Sequence, residues 1–358
     1  MNNIFIYQGI SYQDESLNKL IREKLMPETD EWERLVFEFV KQWVDGSEYF
    51  EFKTSGSTGT PNVLTFSRVA LVASANSTLT FFQLKPRMVA LLCLPMMYVA
   101  AKMMVVRALV GGLNLLAVKP SSLVEIPNDI KIDFAAMVPL QVATLLNQKS
   151  SGFENISTLI IGGASVDDDL HTKLQKVSTT CWETYGMTET LTHVAVRDIK
   201  NQSLNNAFKA LPSIKFDADE RGCLIIHAPN IQTKPLVTND MVKLLNDCEF
   251  EWLGRADWVI NSGGIKVSPE QVEKNLANHI SVPFAITSLP DVKLGECVVL
   301  VLEGGNKLNS SELVKKTNLL SYHVPRKQIS IEQLPLLENG KLDRLELRKM
   351  VIQLTNTK

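Results

Sequence analysis

The sequence predicts an α/β protein with a large N-terminal domain of mostly parallel, covered sheets plus a β subdomain, and a small α+β C-terminal domain. Apolar runs at residues 88–94, 113–118, 134–138 and 158–161 alternate with segments of helical periodicity. Continuous apolar strands that alternate with helices are typical of a parallel sheet buried on both faces. The length of 358 residues suits one large and one small domain.

Helix signals flank these strands. An amphipathic helix is expected at 29–45, where Thr29 or Asp30 can cap its first turn. Ser67 can cap a second helix that reaches about residue 84. Two further helices are expected at 100–110 and 168–177.

After residue 212 the pattern changes. Short β-like runs separated by turn residues indicate an antiparallel β subdomain, and they lie at 214–216, 224–227, 241–244 and 250–253. A separate unit then follows, with helices expected at 269–277 and 310–318 and strands at 284–288 and 296–302. The predicted domains are therefore residues 1–254 and 255–358, joined by a hinge.

Composition excludes several classes of protein. The net charge of −2 leaves no basic surplus for nucleic acid or an anionic membrane. The five cysteines show no zinc-ligand spacing, and their odd number suits reduced thiols. The most apolar stretch, 88–95, is too short to span a bilayer, and the first residues do not resemble a signal peptide. We therefore expect a cytoplasmic protein without membrane insertion.

Two segments carry groups that can bind phosphate or a metal ion. The first is a Gly/Ser/Thr loop whose backbone N–H groups and hydroxyls could cradle a triphosphate; its residues are Thr54, Ser55, Gly56, Ser57, Thr58 and Gly59. It lacks the Lys-Ser/Thr ending of a Walker A loop. In the second segment, 183–189, Glu189 beside Thr188 could hold Mg²⁺ on a phosphate, and Tyr185 offers a face for a base.

Two further segments lie near and beyond the predicted boundary. Residues 252–270 mix glycine, charged and β-branched residues, as a hinge requires. Asn339 and Gly340 form a tight-turn signal that would present Lys341 at a loop tip. Each of the four segments alone also fits an ordinary linker or turn.

Together, in this order and spacing, the four segments resemble the adenylate-forming superfamily of acyl-CoA synthetases, adenylation domains and luciferases. The resemblance covers residues 50 to 345 and implies ATP and Mg²⁺ as cofactors, a carboxylic acid as substrate and coenzyme A as co-substrate. Within the superfamily, residues 94–109 and 185–195 resemble the compact bacterial o-succinylbenzoate–CoA ligases of menaquinone biosynthesis. Most members are longer, so the resemblance also implies an N-terminal domain that is truncated at its start.

The resemblance implies a role for each matching residue. The 54–59 loop would hold the ATP phosphates, Gly162, Gly163 and Ala164 would contact adenine, and Tyr185, followed by Gly186, would stack on it. Thr188 would contact phosphate and Glu189 would hold Mg²⁺. Asp240 and Arg255 would bind the ribose, Asp257 would be the hinge pivot, and Lys341 would be the lysine that promotes adenylation. The tunnel for coenzyme A is expected at Ser262, Gly263 and Gly264.

The acid is the less determined part of the prediction. o-Succinylbenzoate has a second carboxylate that needs a polar or cationic partner, and an arginine can pair with it bidentately. The candidates are Tyr98, Lys102, Arg107, Thr192 and His193. For Lys102 and Arg107 a solvated helix face is the alternative, and for His193 a structural role.

Two departures from the superfamily pattern stand out. Asn62 occupies the position of a lysine that commonly follows the phosphate loop, and Lys53 precedes the loop. Tyr98 stands where many relatives have histidine or another aromatic residue. Two other functions stay open: an adenylate-forming ligase for another aromatic or fatty acid or for a carrier-protein thiol, and a non-catalytic nucleotide-binding protein.

Overall fold

The computed structural model of the chain describes residues 4–53, 63–148, 151–200, 207–304, 323–336 and 342–356. The chain divides into two compact units. The first contains Met1–Asp217, Ile226–Leu236 and Leu245–Phe250, and the second contains Ala218–Ile225, Val237–Leu244 and Glu251–Lys358. The domain boundary at about residue 255 stays a prediction. No helix in the described ranges is long and apolar enough to cross a membrane.

The first unit alternates strands and helices from its start. Its elements are β1 (Phe5–Tyr7), β2 (Ile10–Tyr12), α1 (Asp14–Lys24), α2 (Glu31–Val44), β3 (Tyr49–Lys53), β4 (Val63–Ser67), α3 (Arg68–Phe81), β5 (Val89–Leu92), α4 (Val99–Gly111), β6 (Asn114–Ala117), β7 (Ile132–Met137), α5 (Pro139–Asn147), β8 (Ile156–Ile161), α6 (Asp168–Leu174), β9 (Thr180–Gly186), β10 (His193–Asp198) and β11 (Phe208–Ala210). Ser67 caps α3 as expected, since its side chain accepts a hydrogen bond from the Ala70 N–H.

The main sheet of this unit has the strand order β11-β10-β9-β8-β7-β5-β6-β1-β2. Six neighbouring strands pair in parallel: β9, β8, β7, β5, β6 and β1. The strands β2, β10 and β11 pair antiparallel at the two sides. Successive residues of one strand enter different cores: Ala90 and Leu92 pack with α2, α3 and α4, whereas Leu91 and Cys93 pack with α5 and α6. The predicted parallel sheet with two covered faces is thus confirmed.

The strands β3 and β4 form a separate two-stranded antiparallel sheet. Phe50 and Phe52 are buried, whereas the alternate residues Tyr49, Glu51 and Lys53 are exposed. The pairing continues to Lys53 opposite Val63, so the chain leaves β3 and enters β4 at neighbouring positions.

The next four strands are shared between the two units: β12 (Lys215–Ala218), β13 (Cys223–His227), β14 (Leu236–Asn246) and β15 (Glu249–Arg255). They match the expected β subdomain. In the first unit, β15 pairs antiparallel with β11, with Phe250 opposite Phe208.

The second unit continues with β16 (Ile260–Ser262), β17 (Ile265–Val267), α7 (Pro269–Leu276), β18 (Phe284–Asp291), β19 (Gly295–Glu303), β20 (Lys327–Ile331) and α8 (Arg344–Asn356). Its sheet has the order β17-β16-β19-β18, and β20 also pairs with β19. Val298 and Leu300 pack with α7, whereas Val299 and Val301 pack with α8. The predicted α+β unit is confirmed; the helix expected at 310–318 lies outside the described residues.

Candidate active site

Two predicted nucleotide-binding segments lie together at the carboxyl ends of neighbouring strands in the main sheet. β8 and β9 are adjacent and parallel, with Ile161 opposite Glu183. Gly162 and Gly163 follow β8, and Gly186 ends β9. Ligands of such sheets bind beyond the carboxyl ends of the strands, so the fold brings these two segments to the expected place.

Close packing explains the glycine at position 162. Its N–H donates to the Met137 carbonyl at 3.1 Å, and a Cβ here would lie 2.2 Å from Thr184 Oγ1. The Thr184 hydroxyl donates to the Ile161 carbonyl at 3.1 Å and is therefore fixed. Gly163 has a φ of +83°, which glycine adopts without strain, and the next residue, Ala164, is exposed. The loop thus presents backbone and small side chains to a ligand.

Tyr185 is half-buried and packs against aromatic rings. Its ring centre lies 5.8 Å from that of Phe208 and 5.1 Å from that of Phe250. The next residue, Gly186, has no room for a side chain, because a Cβ would lie 2.3 Å from the Thr192 carbonyl oxygen. The Tyr185 ring therefore packs against Phe208 and Phe250.

The proposed metal-binding residues lie on a turn. A short 3-10 helix spans Thr188–Thr190, and the Thr190 hydroxyl donates to the Thr192 carbonyl at 2.7 Å. Thr188 and Glu189 are both half-buried on this turn. No group of three His, Cys, Asp or Glu side chains that could hold a metal occurs in the described part of the chain. One carboxylate suits Mg²⁺, which keeps water and phosphate oxygens as its other ligands.

The substrate candidates separate into two places. Arg107 on α4 is only 1% exposed, and its Nη2 donates to Thr192 Oγ1 at 3.2 Å. Thr192 Oγ1 also lies 3.2 Å from His193 Nδ1, and Thr78 Oγ1 lies 3.4 Å from His193 Nε2. The alternative of a solvated helix face is therefore wrong for Arg107. Thr78 carried no sequence signal, since it lies in a helix of small residues.

Polar contacts surround both nitrogens of the His193 ring. The Thr78 hydroxyl near Nε2 also donates to the Ser74 carbonyl at 3.4 Å, and which ring nitrogen carries the proton depends on the tautomer. Burial, together with the neighbouring Arg107 cation, holds the pKa of His193 well below its ordinary value. His193 is therefore a neutral imidazole.

Burial also lowers the pKa of Arg107 to about 9. Among the described residues, its buried Nε has no hydrogen-bond partner and none of the ion pairs includes Arg107. A buried cation without a carboxylate is costly. A bound anion would remove that cost.

Lys102 and Tyr98 lie elsewhere. The Lys102 ammonium donates to the Glu51 carbonyl at 2.9 Å and lies 5.1 Å from the Phe52 ring centre. Burial, and secondarily the charge of Lys53, lowers the pKa of Lys102. Tyr98 precedes α4 and is 42% exposed. Lys102 thus supports β3, and the structure does not bring it to Arg107.

In the second unit, three predicted residues form one charged cluster. Arg255 donates to Asp257 through Nε at 3.1 Å and Nη2 at 2.6 Å, and its Nη1 lies 3.6 Å from Asp240 Oδ1. Asp240 is buried and accepts from Trp252 Nε1 at 3.4 Å. Asn239 Nδ2 donates to Asp257 at 3.0 Å. Arg255 therefore bridges the predicted ribose carboxylate and the predicted hinge residue.

The predicted tunnel residues form a tight turn between β16 and β17. Ser262 pairs with Ile265, which leaves Gly263 and Gly264 as a two-residue loop with φ of +62° and +82°. Glycine suits both left-handed positions.

Some predicted residues lie outside the described ranges: Thr54, Ser55, Gly56, Ser57, Thr58, Gly59, Asn62 and Lys341. Leu336 and Leu342 pair across the segment that contains Lys341.

Comparison with known proteins places this geometry in a family. Residues 29–217 match the sequence model described as AMP-binding enzyme. The crystal structure of an acyl-CoA synthetase (AMP-forming)/AMP-acid ligase II-like protein from Dyadobacter fermentans DSM 18053 is 30% identical, with a TM-score of 0.62 over 92% of this chain and 96% of that chain.

Two curated relatives are named as enzymes of thioester synthesis. Feruloyl-CoA synthase of Amycolatopsis sp is 26% identical over 335 residues, which cover 83% of this chain and 68% of the relative. A 2-succinylbenzoate–CoA ligase of Bacillus cereus (strain ATCC 10987 / NRS 248) is 24% identical over 332 residues, which cover 83% and 69%. The expectation of an AMP-forming acyl-CoA synthetase is thus confirmed: the chain belongs to the AMP-binding enzyme family.

Proposed function

We propose that this enzyme joins a dicarboxylic aromatic acid to coenzyme A through an acyl-adenylate, with 2-succinylbenzoate as the acid that fits best. ATP and Mg²⁺ are the expected cofactors and coenzyme A the thiol. The proposal rests on the family, on one of the curated relatives and on the cluster around Arg107.

The observation that carries the choice of acid is a fully buried arginine, Arg107, whose Nε has no partner in the part of the chain that the structure describes. The Arg107 guanidinium can donate two parallel hydrogen bonds to a carboxylate, and such charge-assisted pairs are the strong ones. Thr192 and the neutral His193 add polar atoms beside it. An acid with a second carboxylate would supply the anion that Arg107 does not find among the described side chains.

The first step would form a P–O bond and break another. A carboxylate oxygen attacks the α-phosphorus of ATP, pyrophosphate leaves with the electron pair of its P–O bond, and the acyl-adenylate results. Tyr185 and the loop of Gly162, Gly163 and Ala164 would hold adenine, and Asp240 and Arg255 the ribose. Thr188 and the loop of residues 54–59 would orient the phosphates.

The attack brings two anions together, so positive charge is needed. Lys341 would neutralise charge that develops on the phosphate in the transition state. Mg²⁺, held by Glu189, would supply further electrostatic stabilisation of the phosphates.

The second step would exchange oxygen for sulfur. The thiolate of coenzyme A, reaching the site beside Ser262, Gly263 and Gly264, attacks the acyl carbon, and AMP leaves. Asp257 would be the residue at which the backbone turns between the steps, as hinge residues do.

A second candidate acid is ferulate, because one curated relative is named feruloyl-CoA synthase. Another aromatic or fatty acid, or a carrier-protein thiol as acceptor, belongs to the same alternative. A hydrophobic acid with one carboxylate would leave Arg107 without an anion, so the buried cluster favours the dicarboxylic acid.

The test is a panel of acids with ATP, Mg²⁺ and coenzyme A, followed by pyrophosphate release and by thioester formation. The panel contains 2-succinylbenzoate, each of its two monomethyl esters, ferulate and a medium-chain fatty acid. We expect kcat/KM to be highest for 2-succinylbenzoate and to fall for both esters. In one ester the reacting carboxylate is blocked, and in the other the second carboxylate can no longer pair with Arg107. Equal or higher kcat/KM for ferulate would reject the dicarboxylic substrate and leave the adenylate chemistry intact.

A further inference from the structure

A row of side chains crosses four adjacent strands beside the proposed adenine site. Arg197 on β10 lies opposite Glu183 on β9, and Phe208 on β11 lies opposite Phe250 on β15. Arg197 donates to Glu183 Oε2 from Nε at 2.9 Å and from Nη2 at 2.5 Å. The same guanidinium lies 4.7 Å from the ring centre of Phe208. Arg197 therefore joins a buried carboxylate to an aromatic cluster.

One end of this row reaches the loop after β8. Glu183 is 5% exposed, and its Oε1 accepts the Val166 N–H at 3.4 Å. Val166 comes two residues after Ala164, so Glu183 fastens the far side of the loop that would contact adenine. Thr184, from the same strand, fastens its near side through the Ile161 carbonyl.

The other end of the row supports the tyrosine ring. Phe208 and Phe250 stack with ring centres 5.5 Å apart, and both contact Tyr185. The position of the Tyr185 ring therefore depends on Phe208, over which the Arg197 guanidinium lies.

We propose that Arg197 is a positioning residue for the adenine base, which acts through Glu183 on the 162–166 loop and through Phe208 on Tyr185. This inference rests on the proposed nucleotide site. Without Arg197 the buried Glu183 carboxylate loses its cation and turns towards water, which releases Val166. Phe208 loses its cation–π partner at the same time. Both sides of the base site loosen, while the phosphate and acid sites keep their own contacts.

The experiment compares two inhibitors that use different parts of the nucleotide site. Adenosine carries the base without phosphates, whereas pyrophosphate carries phosphates without the base. Three variants are compared. Arg197→Met removes the charge, Arg197→Lys keeps the charge without the planar guanidinium, and Phe208→Leu keeps the ion pair between Arg197 and Glu183. Arg34→Met, which removes a surface arginine paired with Glu38 on α2, is the matched control.

We expect Arg197→Met to raise the inhibition constant of adenosine about tenfold, the combined effect of a lost charge-assisted hydrogen bond and a loosened aromatic contact. The constant for pyrophosphate and the KM of the acid should stay within about twofold of the unmutated enzyme. Arg197→Lys and Phe208→Leu should each show part of the adenosine effect, and Arg34→Met none.

The inference is overturned if Arg197→Met weakens both inhibitors equally, which would indicate a general loss of structure, or weakens neither. If Arg197→Met does not fold, Arg197→Lys and Phe208→Leu decide, because each keeps one half of the row. If adenosine does not inhibit the unmutated enzyme while pyrophosphate does, the proposed nucleotide site itself is wrong, and the inference falls with it.

Discussion

Replacing Arg107 by methionine separates the contribution of this residue to specificity from its contribution to stability. Arg107 is fully buried, and its Nε finds no partner among the side chains and backbone that the structure describes. Methionine has a similar length and adapts its shape to a core. Arg107→Met therefore removes the cation and leaves most of the packing.

The expected loss of activity follows from the hydrogen bonds that a carboxylate would receive. Two charge-assisted bonds, at roughly 1.5–3 kcal/mol each, give a fall of about 10²–10⁴ in kcat/KM for 2-succinylbenzoate. The ester of the non-reacting carboxylate cannot make this ion pair, so its kcat/KM should change by less than about fivefold.

The free energy of unfolding of Arg107→Met is expected to rise, although the activity falls. Burial lowers the pKa of Arg107 to about 9, so the ligand-free fold disfavours the charged form of this side chain. The hydrogen bond to Thr192, which the variant loses, contributes only about 1 kcal/mol. Apolar replacement of buried charge has stabilised proteins by roughly 1–4 kcal/mol, and we expect a gain in that range.

The assays are steady-state kinetics with the diacid and its ester, and thermal unfolding of the ligand-free enzyme followed by circular dichroism. A structural arginine would show the reverse result: a lower melting temperature and equal losses of kcat/KM for both acids. That outcome would refute the assignment of Arg107 to the second carboxylate.

The remaining predictions concern pH, packing and ion pairs. Because burial lowers the Arg107 pKa to about 9 in the folded state, the unfolded chain binds more protons above about pH 9; this group therefore adds stability as pH rises above about 9, and kcat/KM for the diacid, but not the ester, should fall there. Gly162→Ala should raise the KM of ATP at least tenfold relative to that of the acid, because its Cβ would lie 2.2 Å from Thr184 Oγ1; an unchanged KM would reject this loop as part of the site. Lys102→Met should lower the free energy of unfolding by about 1–2 kcal/mol through the lost bond to Glu51 without changing the preference between acids; altered preference would return Lys102 to the substrate site. Arg344→Met should destabilise the second unit by about 3–5 kcal/mol in denaturant unfolding, since Arg344 donates to both oxygens of Glu273. Burial raises the pKa of Glu273, and the Arg344 charge opposes that rise. A loss below about 1 kcal/mol would contradict this prediction.

Much of the fold could be predicted because burial on both faces leaves a simple pattern. The helix expected at 29–45 is α2, Glu31–Val44, and the run at 134–138 overlaps β7. Local patterns did not reveal β16 and β17, since each has three residues and depends on a tight Gly-Gly turn for its pairing. Strands this short are defined by their partners.

The site was less predictable for a geometric reason. Lys102 and Arg107 lie five positions apart on α4, which turns them about 140° from each other around the helix. The sequence therefore presents two cations in one helix, whereas the fold places one beside β3 and buries the other. Motif residues such as Glu189 could be assigned from order and spacing, but Arg197 carries no motif and is identified only by its partners.

Three arginines with little exposure show how the two kinds of role differ. Arg197 and Arg344 are partly buried, and each donates twice to a glutamate, so the fold itself compensates the cost of their burial. Arg107 is buried more completely, and its hydrogen bond within the described ranges goes to the neutral Thr192. A chain selected for stability alone gains nothing from an arginine in that position, since an apolar residue would fill it at lower cost. The missing anion is then most simply a ligand, and an acid whose second carboxylate reaches Arg107 would gain in affinity what the ligand-free enzyme loses in stability.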